Sequence, residues 1–152
     1  MSLVRSPGVR RQRGVTLIEV LIAVLITATG VLGAAALQLN SVKFNQVANF
    51  RSTAVFLAND ITDRMRANRA LALTGQYDLA MDADAPTGSA IQQIDLQEWL
   101  AEIIQRLPAG DGAVVRNGTT FTVTVAWDEG RLSQTREAGG GDTQQFVFTT
   151  EL

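Results

Sequence analysis

The apolar positions fall into two regimes. From Val15 to about Leu39 they are nearly continuous, broken by Glu19, Thr27, Thr29 and Gln38. At 1.5 Å per residue, roughly 20 apolar residues cross a 30 Å hydrocarbon layer, so this run is long enough to span a membrane. Beyond it the pattern turns periodic. Val47, Phe50, Ala54, Leu57 and Ile61 recur at alternating three- and four-residue steps, which places them on one stripe of a helix. Asn45, Gln46, Arg51, Asn59, Asp60, Asp63 and Arg64 fall between them and suit a wet face. The pattern predicts one helix of about 50 residues, from Val15 to near Asn68, its first half in lipid and its second half against a soluble domain. Gly30 and Gly33 weaken it, since each glycine costs about 1 kcal/mol relative to alanine in a helix interior. Close packing through small residues is one reading of this pair, although its spacing is GxxG and a packing motif is GxxxG.

Residues 69–94 lose periodicity, and Gly75, Pro86 and Gly88 with Asp78, Asp82 and Asp84 mark a connector. Asp82-Ala83-Asp84 invites a calcium reading. Counted from Asp82, however, the glycine and glutamate that a calcium loop needs at its sixth and twelfth positions are Thr87 and Gln93. A solvated acidic loop is the plainer expectation. A second helix follows, with Asp95 as its expected N-cap and Glu98 in capping-box position. Leu96, Trp99, Leu100, Ile103, Ile104 and Leu107 form its apolar face, and Pro108 with Gly110 stops it. Its polar face carries Asp95, Glu98 and Glu102 against Arg106, which fits core packing and does not fit a membrane-surface helix.

The last third reads as strands. Asn117-Gly118 between Val114-Val115-Arg116 and Thr119 predicts a type I′ hairpin, and this turn also explains the glycosylation-like Asn117-Gly118-Thr119. Phe121, Val123, Val125 and Trp127 alternate with Thr120, Thr122, Thr124 and Ala126, and Phe146, Phe148 and Thr150 repeat the alternation. Gly139-Gly140-Gly141 between them is expected to be a flexible loop; it lacks the lysine and hydroxyl residue of a phosphate-binding loop. Together these predict an α+β domain, with a small antiparallel sheet of about three or four strands laid over the Val47–Ile61 stripe and the second helix on a flank. Its edges are expected to be open to partner strands unless covered.

Composition narrows the chemistry. With 152 residues the chain supports one domain and an anchor, and it contains neither cysteine nor histidine. Thiol catalysis, a Ser-His-Asp triad, histidine-ligated metal and disulfides are thereby excluded. Arg5, Arg10, Arg11 and Arg13 lie in an acid-free stretch before Gly14, and positive charge there keeps that end cytoplasmic. Removing residues 1–14 takes away four of 13 basic residues and none of the 15 acidic ones; nine against fifteen leaves a formal charge of −6. Nucleic acid is not an expected partner of such a surface. An ordinary signal peptide cut near Ala34-Ala35-Ala36 is an alternative reading, although the apolar run exceeds the usual length of such segments.

Glu19 is the one ionisable group in the apolar run. A carboxylate in hydrocarbon costs about 2.5–3.5 kcal/mol even on a lenient scale, so it needs a partner. Cleavage after Gly14 would create a positive α-amino group on Val15, one helical turn away. Between staggered neighbouring chains, the amine of one would neutralise the Glu19 of the next and fix their register.

The string Gly14-Val15-Thr16-Leu17-Ile18-Glu19-Val20 resembles the class III signal of type IV pilins and type II secretion pseudopilins. That resemblance implies cleavage after Gly14 by a membrane prepilin peptidase, methylation of Val15 as the mature terminus, and an assembly role for the Glu19 carboxylate. Val15 departs from the phenylalanine or methionine usual in the family, which bears on the rate of processing. Glu19-Val20-Leu21-Ile22-Ala23-Val24-Leu25 with Gly30-Val31-Leu32-Gly33 and Ala35-Ala36-Leu37-Gln38 is similar to minor pilins of the PilV type. Ala36 stands where major pilins often carry proline, and their cysteine pair is missing. The organisation implied is a leader at 1–14, a transmembrane half-helix at 15–39 and a periplasmic pilin-like domain at 40–152.

What the resemblance implies for function is a structural subunit of a tip or initiation complex, serving pilus assembly, adhesion and twitching motility. It would sit in the inner membrane, then in the pilus at the cell surface. Its partners would be the prepilin peptidase, other minor and major pilins and a tip adhesin, with no catalytic residue, cofactor or metal. Melting of the helix at Gly30 and Gly33 on leaving the bilayer is a second reading of that pair. A minor pseudopilin of a type II secretion system is the near alternative. A signal-anchored periplasmic enzyme is the remote one, since carboxylates, Ser41, Ser52, Ser89, Ser133 and Tyr77 form no recognisable arrangement.

Overall fold

The computed structural model describes residues 14–130 and 143–152. The arginine-rich stretch before Gly14, expected to be a leader, and the Gly139-Gly140-Gly141 segment, expected to be a loop, lie outside the described residues. The chain forms two compact units that divide in sequence between Ser41 and Val42. A single helix, α1 (Leu17–Ala67), contributes to both, close to the predicted limits.

In the first unit the side chains of α1 are exposed throughout, including Leu17, Leu21, Leu25 and Leu32. No described residue of this chain shields them, which is the condition of a segment suited to lipid. In the second unit α1 buries Ala54, Leu57, Ala58, Ile61, Thr62 and Met65. Val47 and Phe50, the first positions of the predicted stripe, are half-buried. A short helix, α2 (Arg69–Leu73), follows a break at Asn68.

The next helix, α3 (Ile91–Arg106), starts four residues earlier than Asp95. Its N-cap is Ala90, which has no acceptor side chain; Gln93 Oε1 reaches back to accept from the Ala90 N–H at 3.4 Å. Asp95 does not cap because its carboxylate turns inward, toward Tyr77 and Arg64. The predicted face otherwise holds: Leu96, Trp99, Leu100, Ile103 and Leu107 are buried, while Ile104 is 67% exposed at the margin of the stripe. The helix ends before Leu107 and Pro108 as expected, and Ala109 takes the left-handed conformation (φ 45°) in the turn that follows.

The sheet is a three-stranded antiparallel meander of β1 (Asp111–Asn117), β2 (Thr120–Asp128) and β3 (Thr143–Glu151). Phe121, Val123, Val125 and Trp127 point into the core, and Phe146 and Phe148 pair beside Val125 and Val123 on that face. The hairpin differs from the prediction by one residue. Asn117 pairs with Thr120, so the loop is Gly118-Thr119. Positive φ occurs at Gly118 (66°) and not at Thr119, which excludes type I′ and matches a turn with glycine at its first central position. Core burial decides this: it sets Val114 opposite Val123, and a one-residue slip would turn Val114 outward.

One core joins the three layers of the second unit, with Leu57, Ile61 and Met65 from α1, Trp99 and Ile103 from α3, and Phe121, Val123 and Trp127 from β2. The Trp99 indole N–H donates to the Leu57 carbonyl at 2.8 Å, locking α3 to α1. Gly112 permits α3 to approach β1, since a Cβ there would meet Trp99 Cη2 at 2.6 Å and Ile103 Cδ1 at 2.7 Å. The result is the expected α+β, pilin-like architecture.

Candidate functional site

Gly14, Val15 and Thr16 precede α1 without helical structure. Gly14 is exposed, and a Cβ added to it would meet nothing within 4 Å. Val15 is 69% exposed. The Gly14–Val15 peptide bond is thus unpacked on the described side of the junction. The helix opens on the Thr16 carbonyl, which accepts from the N–H groups of Glu19 at 3.1 Å and Val20 at 3.2 Å.

Glu19 sits in the first turn of α1. Its negative charge there meets the positive end of the helix dipole, which favours a carboxylate by a few tenths to about 1 kcal/mol. Val15, Glu19, Ala23 and Thr27 recur four residues apart and line one open groove. The structure therefore brings two predicted site residues, Val15 and Glu19, to the same face. Among the described residues Glu19 has no ion-pair partner. The chemistry such an arrangement supports is electrostatic pairing of the Glu19 carboxylate with a nearby cation.

At Gly30 and Gly33 the helix continues unbroken. Cβ atoms added to either would meet nothing within 4 Å, so no neighbour among the described residues requires a small residue there. Thr27 Oγ1 donates to the Ala23 carbonyl at 2.8 Å, and Thr29 Oγ1 to the Ile26 carbonyl at 2.9 Å. These back-bonds compete for the carbonyls of the turn before the glycines and slightly weaken it.

A second polar cluster lies in the other unit and was not legible in the sequence. Asp95 is 7% exposed and Tyr77 fully buried. The Tyr77 hydroxyl donates to Asp95 Oδ2 at 2.5 Å, and Asn68 Nδ2 donates to the Tyr77 oxygen at 3.0 Å. Arg64 joins Asp60 at 3.1 Å, Asp95 at 3.3 Å and Glu98 at 2.7 Å. Burial first, and the bond to Asp95 second, push the Tyr77 hydroxyl up to about 12. The Glu98 and Asp60 carboxylates raise the Arg64 guanidinium above its ordinary value, against the opposing cost of burial. The cluster ties the end of α1, the connector and α3 together. Its one sequence signal was Asp60 four residues before Arg64, a surface-helix pattern that says nothing of Asp95, 31 residues on.

Around Asp82 and Asp84 the geometry is that of a turn. Asp82 has φ 60°, and its N–H donates to Asp111 Oδ2 at 2.7 Å. Among the described residues no group of three acidic side chains converges there. Ser52, one of the hydroxyls weighed for catalysis, donates to the Ala48 carbonyl within its own helix; Ser133 lies outside the described residues.

α1 is the described helix long and apolar enough to cross a membrane. No curated protein and no solved structure shows significant similarity to the chain. Residues 9–35 match the family model for the prokaryotic N-terminal methylation motif, the motif of prokaryotic pilins and pseudopilins, and this stretch contains Gly14, Val15, Glu19, Gly30 and Gly33.

Proposed function

We propose that the chain is a minor type IV pilin of the PilV type, a non-enzymatic subunit that is cut after Gly14, methylated on Val15 and built into a tip or initiation complex. The observation that carries this reading is the methylation motif over residues 9–35 at the head of a helix whose first apolar half is exposed along its whole length. Exposed apolar surface on this scale must be covered by lipid or by other helices. A pilin subunit uses both in turn, first in the inner membrane and then in the fibre. Glu19 would act as the register device, paired with the Val15 amine of a neighbouring subunit. Other minor and major pilins, and a tip adhesin, are the proposed partners.

Mass spectrometry of the mature terminus in cells with and without prepilin peptidase tests the reading. A chain beginning at methylated Val15, seen only when the peptidase is present, is expected. A terminus after Ala36 would return the protein to ordinary secretion. A deletion strain that keeps twitching and loses protein secretion would assign the chain to a pseudopilus instead. Glu19→Ala should leave insertion and cleavage intact while lowering incorporation into fibres at least several-fold. Wild-type amounts of the variant in purified fibres would remove Glu19 from the mechanism.

A further inference from the structure

One edge of β3 carries no paired strand among the described residues. The Leu152 N–H donates to the Thr119 carbonyl at 3.1 Å, so in the β2–β3 register 152 and 119 form a bonded pair. Bonded and non-bonded pairs alternate along an antiparallel ladder. Gln144, Phe146, Phe148 and Thr150 therefore bond to β2. Thr143, Gln145, Val147, Thr149 and Glu151 turn their N–H and C=O groups away from it. The same alternation on β1 makes Val114 face outward, and Val114 does exchange both bonds with Leu79 at 2.9 Å, which confirms the phase. One side of the sheet is thus closed at Leu79. Among the described residues no strand pairs with β3 on its other side.

Edges of this kind are normally blunted by proline, lysine, a bulge or a very short strand. β3 has none of these. It runs nine residues in unbroken register with β2, and Thr143, Gln145, Val147, Thr149 and Glu151 all have exposed side chains, with Val147 at 52%. A row of alternating donors and acceptors at two-residue repeat is complementary to one chemistry, an extended polypeptide backbone.

We propose that this edge binds an extended segment of a partner protein as a fourth strand. The segment is uncharged where it faces Thr143 to Thr149 and carries a lysine or arginine opposite Glu151, the one charged residue in the outward row. The inference goes beyond the pilin reading and stands whether or not Gly14 is cleaved.

The test uses the full chain in detergent micelles and a fluorescent nine-residue peptide followed by anisotropy. The peptide has the β3 sequence with Thr143→Lys, so that antiparallel pairing about Val147 sets its lysine against Glu151. Saturable binding is expected. N-methylation of the peptide at the positions equivalent to Gln145, Val147 and Thr149 should weaken it at least tenfold, whereas N-methylation at those of Gln144, Phe146 and Phe148 should not. In the protein, Val147→Pro removes an outward N–H and no bond to β2, and should abolish binding. Glu151→Lys should weaken it several-fold and restore binding to a peptide carrying glutamate in place of the lysine. Equal binding by both methylated peptides, or wild-type binding by Val147→Pro, would overturn the proposal. So would a dimer of the chain itself that forms without peptide and is lost in Val147→Pro, since that makes a second copy the occupant.

Discussion

Asp95 and Glu19 are carboxylates in opposite circumstances. Asp95, almost fully buried, is surrounded by the Tyr77 hydroxyl, the Asn68 amide and the Arg64 guanidinium. A buried charge is tolerable when every lone pair finds a donor, and this cluster comes close to that. Glu19 has no ion-pair partner among the described residues and stands where lipid or another subunit would meet it. The first charge is satisfied within the described residues; the second would be available for the assembly role proposed for it. Tyr77, the single tyrosine of the chain, makes the first cluster measurable. Its hydroxyl is raised from 10.0 to about 12, so between those values the folded state holds a proton that the unfolded state has lost. The contribution to stability is complete below pH 10 and falls as the pH rises toward 12. Titration by tyrosinate absorbance should show this midpoint, and Asp95→Asn should lower it without bringing it back to 10, because burial is the larger cause. An unchanged midpoint in the variant would mean that Asp95 does not hold the proton.

At the scale of elements, two helices carry glycine contacts of contrary meaning. Under α3, Gly112 of β1 is required by the close approach of Trp99 and Ile103. Gly112→Ala should cost about 1–3 kcal/mol through overpacking, read as a lower denaturant midpoint. Ile103→Val, which removes the Ile103 Cδ1 among the atoms a Cβ would crowd, should recover part of that loss. If Gly112→Ala unfolds at the wild-type midpoint, α3 does not seat on β1 as described. Within α1, Gly30 and Gly33 face open space, so alanine adds helix propensity with no steric penalty. Gly30→Ala and Gly33→Ala should each stabilise the helix by about 1 kcal/mol and slow amide exchange around them in micelles. If local melting serves assembly, the double variant should insert normally yet enter fibres poorly. Normal fibre entry would leave the glycines without an assembly role.

At the scale of the whole molecule, the second unit contains all the buried apolar residues among those described. A fragment spanning 42–152 should therefore fold alone and unfold in one cooperative thermal transition, followed by the fluorescence of Trp99 and Trp127, which are both buried. A gradual, non-cooperative loss of signal would show that the first unit is needed for the core. Much of this organisation was readable from the chain. The apolar run and the Val47–Ile61 stripe gave a helix whose limits the structure moves by two residues at one end and one at the other. The Phe121–Trp127 alternation gave the buried face of the central strand. Both succeed because local periodicity and burial report the same physical demand, a face turned away from water. The methylation motif over residues 9–35 was legible for another reason: its basic stretch, its glycine and its carboxylate lie close together in the sequence. Where the chain misled, a distant partner outcompeted a local rule. Asp95 had the residue type and spacing of an N-cap, yet Tyr77 and Arg64 offered it stronger, desolvated bonds, and α3 started at Ile91. Asn117-Gly118 suited a type I′ turn, yet burial of Val114 against Val123 fixed the register and moved the turn by one residue. The sequence alone determined which surfaces avoid water and where the methylation motif lies, because both are set by neighbours along the chain. The tertiary structure decided which polar groups meet, how the strands register and which sheet edge stays open, because those depend on residues that only folding brings together.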